Sequence, residues 1–335
     1  MSTCTTSTSP CKRCSAWEAD MASVKNRVAA GVCALLLTAG AMPAAAASSE
    51  QVHRGHPHDV LFGVNTSSDG LLAVGSNGRL WQSRDGSQWQ SNSNVGDSRA
   101  LLAVSERQGN LLAVGQQGGI FHNAGDGWKA VEAPVKERLF AVAQGDFGLA
   151  VVTGAFGAVL CSQDGGRSWQ QSQIDWPALI GQNYQPHVYN AAIDARGRIY
   201  IVGEFGMIAR SDDAGKSWQS LHSGEASLFG LALSDTGLAY AVGQSGTVLR
   251  SKDGGDSWKA ITSNSDAILM DVAIRADGKA VATGIRQALS ISPTSSQARV
   301  LNHDAFLESW YSDIAVLGNA FYAVGEQAKV IKISL

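Results

Sequence analysis

Short apolar runs of five or six residues recur along the whole chain and alternate with glycine-rich turns. Examples are VLFGVN, ALLAVS and LFAVAQ, and each is followed by a second run, such as LLAVG, and then by a tight turn. Runs of this length that are rich in Val, Leu, Ile and aromatic residues, with turn signals at both ends, are typical of β-strands. The pattern predicts an all-β protein built from short antiparallel strands.

One block of about ten residues, beginning with Val-Gly or Thr-Gly, occurs seven times. Its leading glycines are spaced 40, 39, 49, 40, 41 and 41 residues apart. They are Gly75, Gly115, Gly154, Gly203, Gly243, Gly284 and Gly325. A period near 40 accommodates four short strands, and four-stranded sheets repeated radially form a propeller. We predict a seven-bladed β-propeller with four-stranded antiparallel blades, occupying residues 48–335 as a single domain.

The last repeat ends at Leu335 after its third strand, so the last blade lacks a fourth strand in sequence order. The segment before Asp59 is available to supply it. We expect this N-terminal strand to close the ring through main-chain hydrogen bonds.

The N-terminal region has the order of a Sec-type signal peptide over residues 21–47. Lys25 and Arg27 precede an apolar stretch from Val28 to Ala39, and small residues follow. Cleavage is expected near Ala47, and residues 1–20 are interpreted as an overlong start. The mature protein would then be periplasmic or secreted. It would have no membrane insertion of its own, because the apolar stretch is shorter than a spanning helix.

Composition limits the possible ligands. The 335 residues carry a formal net charge of -3 and no run of Lys and Arg, so we do not expect a nucleic-acid partner. Neither a phosphate-binding loop nor a nucleophile elbow occurs. His53, His56 and His58 could hold a metal ion, although a closing strand is the simpler interpretation. We predict no metal, no cofactor and no catalytic set.

A second motif, S-x-D-x-G-x-x-W, follows the third strand of several repeats. It is an Asp box, in which Asp accepts backbone hydrogen bonds, Gly adopts a positive φ and Trp packs between blades. We assign these residues a structural role. They are Ser162, Asp164, Gly166 and Trp169; Ser211, Asp213, Gly215 and Trp218; Ser251, Asp253, Gly255 and Trp258; and, in a shortened copy, Ser83, Asp85 and Trp89.

The segment VGEFGMIARSDDAGKSW, from Val202 to Trp218, joins a G-x-F-G-x-[IV] turn to an Asp box. This combination resembles the photosystem II assembly and stability factor family of exported seven-bladed propellers. The resemblance extends from about Asp59 to the C-terminus. It implies a non-catalytic scaffold that helps a membrane protein complex to mature, which in a non-photosynthetic bacterium would be an envelope complex or a transporter.

Sialidases also carry Asp boxes, so the alternative function is a carbohydrate-active hydrolase of the sialidase or BNR-repeat type. Sialidases need an arginine triad whose first member lies in an F/Y-R-I-P motif before the first box. The mature arginines in that region, Arg54 and Arg79, lie in the sequences VHRGHP and SNGRLW, which do not match. A glycosidase that uses two opposed carboxylates remains open.

The 49-residue spacing marks extra chain from Gln173 to Tyr189, which we expect on the propeller face that carries the loops between blades. Trp176, Tyr184 and His187 in this insertion are candidate partner contacts, because aromatic side chains are frequent interface hot spots. The alternative is that the insertion only caps the channel.

Further candidate contacts on the same face are charged. Arg99 and Arg138 precede the innermost strands of consecutive blades and are expected at the channel mouth, where they pair with acidic groups of a partner or form salt bridges across blades. Glu204 and Arg286 occupy turns on this face. Phe156 and Phe205 are expected to pack as recurrent residues of the repeat.

Overall fold

The computed structural model describes residues 47–335, where 28 strands form seven four-stranded antiparallel sheets. The seven-bladed propeller predicted from the repeat is confirmed. The predicted signal peptide and the 20 residues before it lie outside the described residues, apart from Ala47. Two short helices, α1 (Trp176–Ile180) and α2 (Asp304–Leu307), occur in loops between blades. No helix within residues 47–335 is long and apolar enough to cross a membrane.

The first half of the chain contains the first strand and blades one to three. These strands are β1 (Ser48–His53); β2 (Leu61–Ser67), β3 (Gly70–Gly75), β4 (Arg79–Ser83) and β5 (Gln90–Asn94) in blade one; β6 (Leu101–Arg107), β7 (Asn110–Gly115), β8 (Ile120–Asn123) and β9 (Lys129–Val131) in blade two; and β10 (Leu139–Gln144), β11 (Ala150–Gly154), β12 (Val159–Ser162) and β13 (Gln170–Gln171) in blade three.

The second half contains blades four to seven. These strands are β14 (Val188–Ile193), β15 (Ile199–Gly203), β16 (Ile208–Ser211) and β17 (Gln219–His222) in blade four; β18 (Leu228–Leu233), β19 (Ala239–Gly243), β20 (Val248–Ser251) and β21 (Lys259–Ala260) in blade five; β22 (Leu269–Ile274), β23 (Ala280–Gly284), β24 (Ala288–Ile291) and β25 (Ala298–Val300) in blade six; and β26 (Tyr311–Leu317), β27 (Ala320–Gly325) and β28 (Val330–Ser334) in blade seven.

Blade seven is completed by the first strand of the chain. β1 pairs antiparallel with β28, from Ser48 opposite Ser334 to Gln51 opposite Ile331, so the sheet order is β1-β28-β27-β26. The predicted closure is therefore present. Three of the six β1 side chains are exposed; of the other three, Val52 packs against the core and the His53 ring lies 5.2 Å from the Trp81 ring, so side-chain packing adds to the main-chain pairing.

The first strand of every blade is innermost and surrounds a central channel. Each of these seven strands has a register irregularity after its first residue, so its second residue is an extra, bulged one. A β-bulge redirects a side chain. All seven bulged residues line the channel: Phe62, Leu102, Phe140, Tyr189, Phe229, Met270 and Ser312.

Turns and loops divide the propeller into two faces. The turn between the first and second strands lies beside the Asp box, as a Cβ on Gly70 would meet the Ser83 carbonyl oxygen at 2.2 Å. The turn between the second and third strands lies beside the loop that enters the next blade, since the Val95 N–H donates to the Gly78 carbonyl. We call these the Asp-box face and the loop face.

The Asp boxes join neighbouring blades on the first of these faces. In the box of blade four, the Gly215 N–H donates to Ser211 Oγ at 2.8 Å, and Trp218 Nε1 donates to the Gly215 carbonyl at 3.2 Å. A Cβ on Gly215 would lie 2.3 Å from Cys161 Sγ in blade three. The box glycine is therefore required for close contact with the preceding blade as well as for its positive φ of 88°.

Proline substitutions test the closing strand. Neighbouring residues of an edge strand direct their N–H groups alternately to the paired strand and to solvent, and proline removes the N–H. Of Ser49→Pro and Glu50→Pro, we expect only one to lower the melting temperature, by roughly 4 °C. Each variant is the control for the other in thermal denaturation. Equal melting temperatures for both variants and the parent protein would show that β1 does not close the ring.

Asp213→Ala tests the energetic contribution of an Asp box. Hydrogen bonds from the Ser217 hydroxyl, the Ser217 N–H and other donors of the box lower the pKa of Asp213 to about 2, so its stabilising contribution is present above pH 4 and is lost as the pH falls toward 2. We expect Asp213→Ala to reduce the free energy of unfolding by about 1 kcal/mol at pH 7, because the box is open to solvent.

This difference in urea denaturation should shrink between pH 5 and pH 3. Asp235→Ala is the matched control. Asp235 is an exposed carboxyl in a turn on the same face and has no hydrogen-bond partner among the described residues. An equal loss of stability in both variants would contradict a specific role for the box.

Candidate functional site

The loop face carries most of the exposed large apolar side chains in residues 47–335. Five of the six lie on turns or loops of this face: Phe156, Tyr184, Ile268, Ile285 and Leu307. The sixth, Phe147, lies on the Asp-box face. Exposed apolar side chains that cluster on one side of a protein mark an interaction surface.

The aromatic members of this face gather around blades three and four. Phe156 and His187 have ring centroids 4.8 Å apart in an edge-to-face arrangement, and Tyr184 and Phe205 are related in the same way at 6.0 Å. Phe156 is 58% exposed and Tyr184 is 43% exposed. Phe156 therefore projects into solvent and does not pack as a recurrent residue of the repeat, whereas Phe205 is half-buried.

Three bulged residues continue this cluster into the channel wall. The Tyr189 ring lies 5.6 Å from Phe140 and 4.7 Å from Phe229, while His187 contacts both Phe140 and Tyr189. Burial raises the pKa of Tyr189 to about 12, so its phenol is neutral. We call the seven rings the aromatic surface: Phe140, Phe156, Tyr184, His187, Tyr189, Phe205 and Phe229.

Hydrogen bonds between blades fix the position of His187. Its backbone N–H donates to Glu204 Oε2 at 2.8 Å, and the Glu204 N–H donates back to the His187 carbonyl at 3.1 Å. Its Nδ1 accepts the Phe156 N–H at 3.1 Å, which requires a free lone pair on that nitrogen. The Glu204 carboxylate, predicted as a partner contact, is half-buried and holds this loop.

Phe156 and Phe205 differ from their equivalents in the other blades in side-chain type, at one shared backbone conformation. The equivalent turn residue has a positive φ, between 53° and 61°, in all seven blades, and in five of them it is polar or charged: Asn77, Gln117, Ser245, Arg286 and Gln327. Phe156 and Phe205 adopt the same conformation, with φ of 53° and 58°. A bulky residue at positive φ is strained, and such strain is a recognised feature of functional sites.

Trp176 is corrected as a candidate contact. It begins α1 and is only 6% exposed, because its indole covers the blade-three turn, where a Cβ on Gly157 would lie 2.6 Å from Nε1. The Asp175 carboxylate caps α1 by accepting the Ala178 N–H at 3.1 Å. The insertion therefore supports the turn that carries Phe156, and among its three candidates only Tyr184 and His187 reach the aromatic surface.

The charged candidates are separated by the fold. Arg99 forms an ion pair with Asp97 at 2.7 Å and donates to the Gln117 carbonyl, so it is engaged within its own loop and blade two. Arg138 is exposed beside blade three, and its backbone carbonyl accepts the Ala155 N–H. Neither arginine is among the residues that line the channel wall, and their place at the channel mouth stays a prediction. Arg286 is exposed on blade six, away from the aromatic surface.

Sequence reasoning missed Phe140, Tyr189 and Phe229. The available signal was an aromatic residue at the second position of the innermost strand in three consecutive blades. The bulge that turns this position toward the channel was not visible in the repeat. The channel also contains a carboxyl pair, Asp271 and Asp313, that the motif search did not identify.

The chain is similar to known proteins in sequence and in fold. The family model described as photosynthesis system II assembly factor YCF48 matches residues 120–304. No curated protein sequence matches the chain. Among solved structures, YCF48 from Cyanidioschyzon merolae has a TM-score of 0.68 at 17% identity and covers 85% of this chain and 98% of its own.

Two further structures share the fold. A structure of YCF48 bound to D1 peptide has a TM-score of 0.65 at 16% identity, with 86% of this chain and 97% of its own covered. A catalytically inactive virginiamycin B lyase from Staphylococcus aureus with quinupristin has a TM-score of 0.75 at 9% identity, with 87% of this chain and 100% of its own covered. These likenesses establish the fold.

Asparagine substitutions test whether the strained aromatic residues have a structural role. Asparagine tolerates positive φ, so Phe156→Asn and Phe205→Asn trade one edge-to-face contact for relief of strain. We expect each to change the free energy of unfolding by less than about 1 kcal/mol in urea denaturation.

Phe147→Asn is the matched control, because Phe147 has a φ of 57° and is fully exposed. It should stabilise the protein by about 1 kcal/mol. A loss well above about 1 kcal/mol for Phe156→Asn or Phe205→Asn would assign those rings to the folded core instead.

Proposed function

The chain belongs to the photosynthesis system II assembly factor YCF48 family, and from this premise we propose that it is a non-catalytic, exported binding scaffold for an envelope membrane protein complex. The partner contacts the loop face of blades three and four. One observation carries the proposal: Phe156 and Phe205 retain exposed or half-buried rings at strained turn positions where five other blades have polar or charged residues.

The aromatic surface suits an apolar segment of a protein. Its rings run from exposed positions on the loop face to the wall of the channel, which has a volume of about 660 Å³. Aromatic side chains provide large contact areas with little loss of side-chain entropy. Exposed Arg138 lies beside the Phe156 turn, where its carbonyl accepts the Ala155 N–H, and it would pair with an acidic group of the bound segment. The related propeller bound to D1 peptide supports a peptide-like ligand.

A tag on Leu335 leaves this surface free. The C-terminal residues pair with the start of β1 at the Asp-box end of blade seven, as Ser334 lies opposite Ser48. Deletion of the whole insertion is unsuitable, since it would remove Trp176 from the cover of Gly157. Point substitutions are therefore preferred.

The test is a crosslinking pulldown of the C-terminally tagged protein from its native envelope. We expect the Phe156→Asn/Phe205→Asn double variant to recover roughly tenfold less of a membrane complex than the parent protein, since two interface rings are lost. Phe147→Asn, on the opposite face, should recover the complex unchanged. Equal recovery by the double variant would overturn the assignment of the surface, and equal loss in both variants would place the contact elsewhere.

The alternative hydrolase receives no support from the channel carboxylates. A glycosidase needs two carboxyl groups about 5–10 Å apart, on either side of the bond that is cleaved. The carboxyl groups of Asp271 and Asp313 both lie on the Ile314 N–H, at 3.2 Å and 2.7 Å, which leaves no space for a substrate between them. Release of sugar from a glycan panel, lost on substitution of either residue, would favour the hydrolase.

A further inference from the structure

A pair of carboxyl groups lies inside the channel, at the third residue of the innermost strands of blades six and seven. Asp271 is only 6% exposed, Asp313 is half-buried, and the Ile314 N–H lies within hydrogen-bond distance of a carboxyl oxygen of each, at 3.2 Å and 2.7 Å. Neither residue belongs to the aromatic surface or to an Asp box. When two carboxyl groups share one N–H donor in a poorly solvated position, repulsion between their charges favours the state in which one of them is protonated.

Hydrogen bonds extend the pair around the ring from blade four to blade one. The Asn190 amide of blade four donates to Asp271 Oδ1 at 3.2 Å. The Ile314 N–H lies 2.7 Å from Asp313 Oδ1 and 3.2 Å from Asp271 Oδ2, and the Val64 N–H of blade one donates to Asp313 Oδ2 at 2.8 Å. The pair therefore bridges the same junction between blades seven and one that β1 closes from outside.

Blade five leaves space for this network because it has a glycine at the equivalent position. A Cβ on Gly230 would lie 2.5 Å from the Asp271 Cα and 2.9 Å from its Oδ1. Asn190 can therefore reach past blade five to Asp271. The glycine has an ordinary backbone conformation, so the close approach explains its presence.

No cation on the innermost strands of the described chain balances the two carboxyl groups. The other titratable residues of these seven strands are Glu106, Arg107, Tyr189 and Tyr311. Arg107 is paired with Asp146, and Glu106 accepts the N–H groups of Ser68 and Gly109. Burial raises the pKa values of both tyrosines to about 12, so both are neutral. Burial and the Asp313 charge raise the pKa of Asp271 well above its usual range.

We propose that Asp271 and Asp313 share one proton and form a clasp that holds blades six, seven and one together from inside the channel. Asp271 carries the proton and donates a hydrogen bond to Asp313. The Asp313 oxygens also accept the Val64 and Ile314 N–H groups. Loss of the proton leaves two adjacent negative charges in a poorly solvated position. Their repulsion then weakens the ring at its closing junction.

The sign of the pH effect follows from the raised pKa of Asp271. Its folded form binds the proton more tightly than the unfolded chain does, so the contribution is fully present below about pH 4 and is lost as the pH rises through the raised value. Burial lowers the pKa of His53 in β1, which acts in the opposite direction on acidification. The comparison must therefore be between variants at each pH.

The clasp lies in the wall of the same channel that the inner rings of the aromatic surface line. Met270 and Ser312 directly precede the two carboxyl residues and line the channel together with Phe62. A weaker clasp would change the channel wall opposite the aromatic surface and reduce partner recovery at alkaline pH. This consequence rests on the proposed function, whereas the clasp itself does not.

The test compares the melting temperatures of the parent protein and Asp271→Asn from pH 5 to pH 8.5. The amide can donate to Asp313 at every pH, so the parent should lose roughly 3–6 °C relative to the variant over this range. Asp235→Asn, an exposed carboxyl, should keep a constant difference from the parent. A constant difference for Asp271→Asn as well would overturn the clasp.

Two measurements on the parent protein keep the test decisive if Asp271→Asn does not fold. Infrared spectroscopy should show a protonated carboxylic acid at pH 7, and hydrogen exchange should show lower protection of the Val64 and Ile314 amides at pH 8.5 than at pH 6 after correction for intrinsic rates. Absence of the protonated acid at pH 7 would contradict the proposal. Neither measurement involves a partner, so both can be interpreted even if the proposed function is wrong.

Discussion

The main-chain pairing of β1 with β28 is the interaction on which the ring depends. Each innermost strand packs against the next, and the last of these contacts, between β26 and β2, joins the two ends of the chain. Without β1, the outer edge of β28 would expose unpaired N–H and carbonyl groups, a liability that closed β architectures avoid. Three of the six β1 side chains are exposed, and the direction and register of its backbone decide where Val52 and His53 pack.

The two faces of the propeller meet different physical demands. On the Asp-box face, local hydrogen bonds form turns that bring a glycine against the preceding blade. On the loop face, the turn between the second and third strands keeps a positive φ in every blade while its side chain varies between Asn, Gln, Ser, Arg and Phe. A constant backbone conformation with a variable side chain is how one repeat can carry a specific surface.

The comparisons fit this division between scaffold and surface. Propellers with closely similar backbones include a peptide-bound assembly factor and a lyase, so the fold by itself does not decide the function. In this chain, blades three and four depart from the common repeat. Their turns carry aromatic residues, and the 49-residue spacing between them adds α1. The helix supports Gly157 from outside, and His187 ties the same turn to blade four.

The sequence by itself determined the features that depend on neighbours along the chain. The period of about 40 residues specified strands, blades and the missing last strand, and the S-x-D-x-G-x-x-W spacing specified turns that close over a few residues. Features that depend on distant contacts were decided by the tertiary structure. Trp176 looked like an exposed aromatic until the packing of its indole against Gly157 covered it.

Among the contacts between residues distant in sequence, those made by closure of the ring had the largest effect. Val64 and Asp313 are 249 residues apart in sequence, yet the ring brings the N–H of one to the carboxylate of the other. The bulge in each innermost strand likewise turned Phe140, Tyr189 and Phe229 into one continuous wall. A strand pattern states which residues alternate, but contacts between blades arise only when the ring is closed, and these contacts decide burial, the pKa of a carboxyl and the shape of a surface.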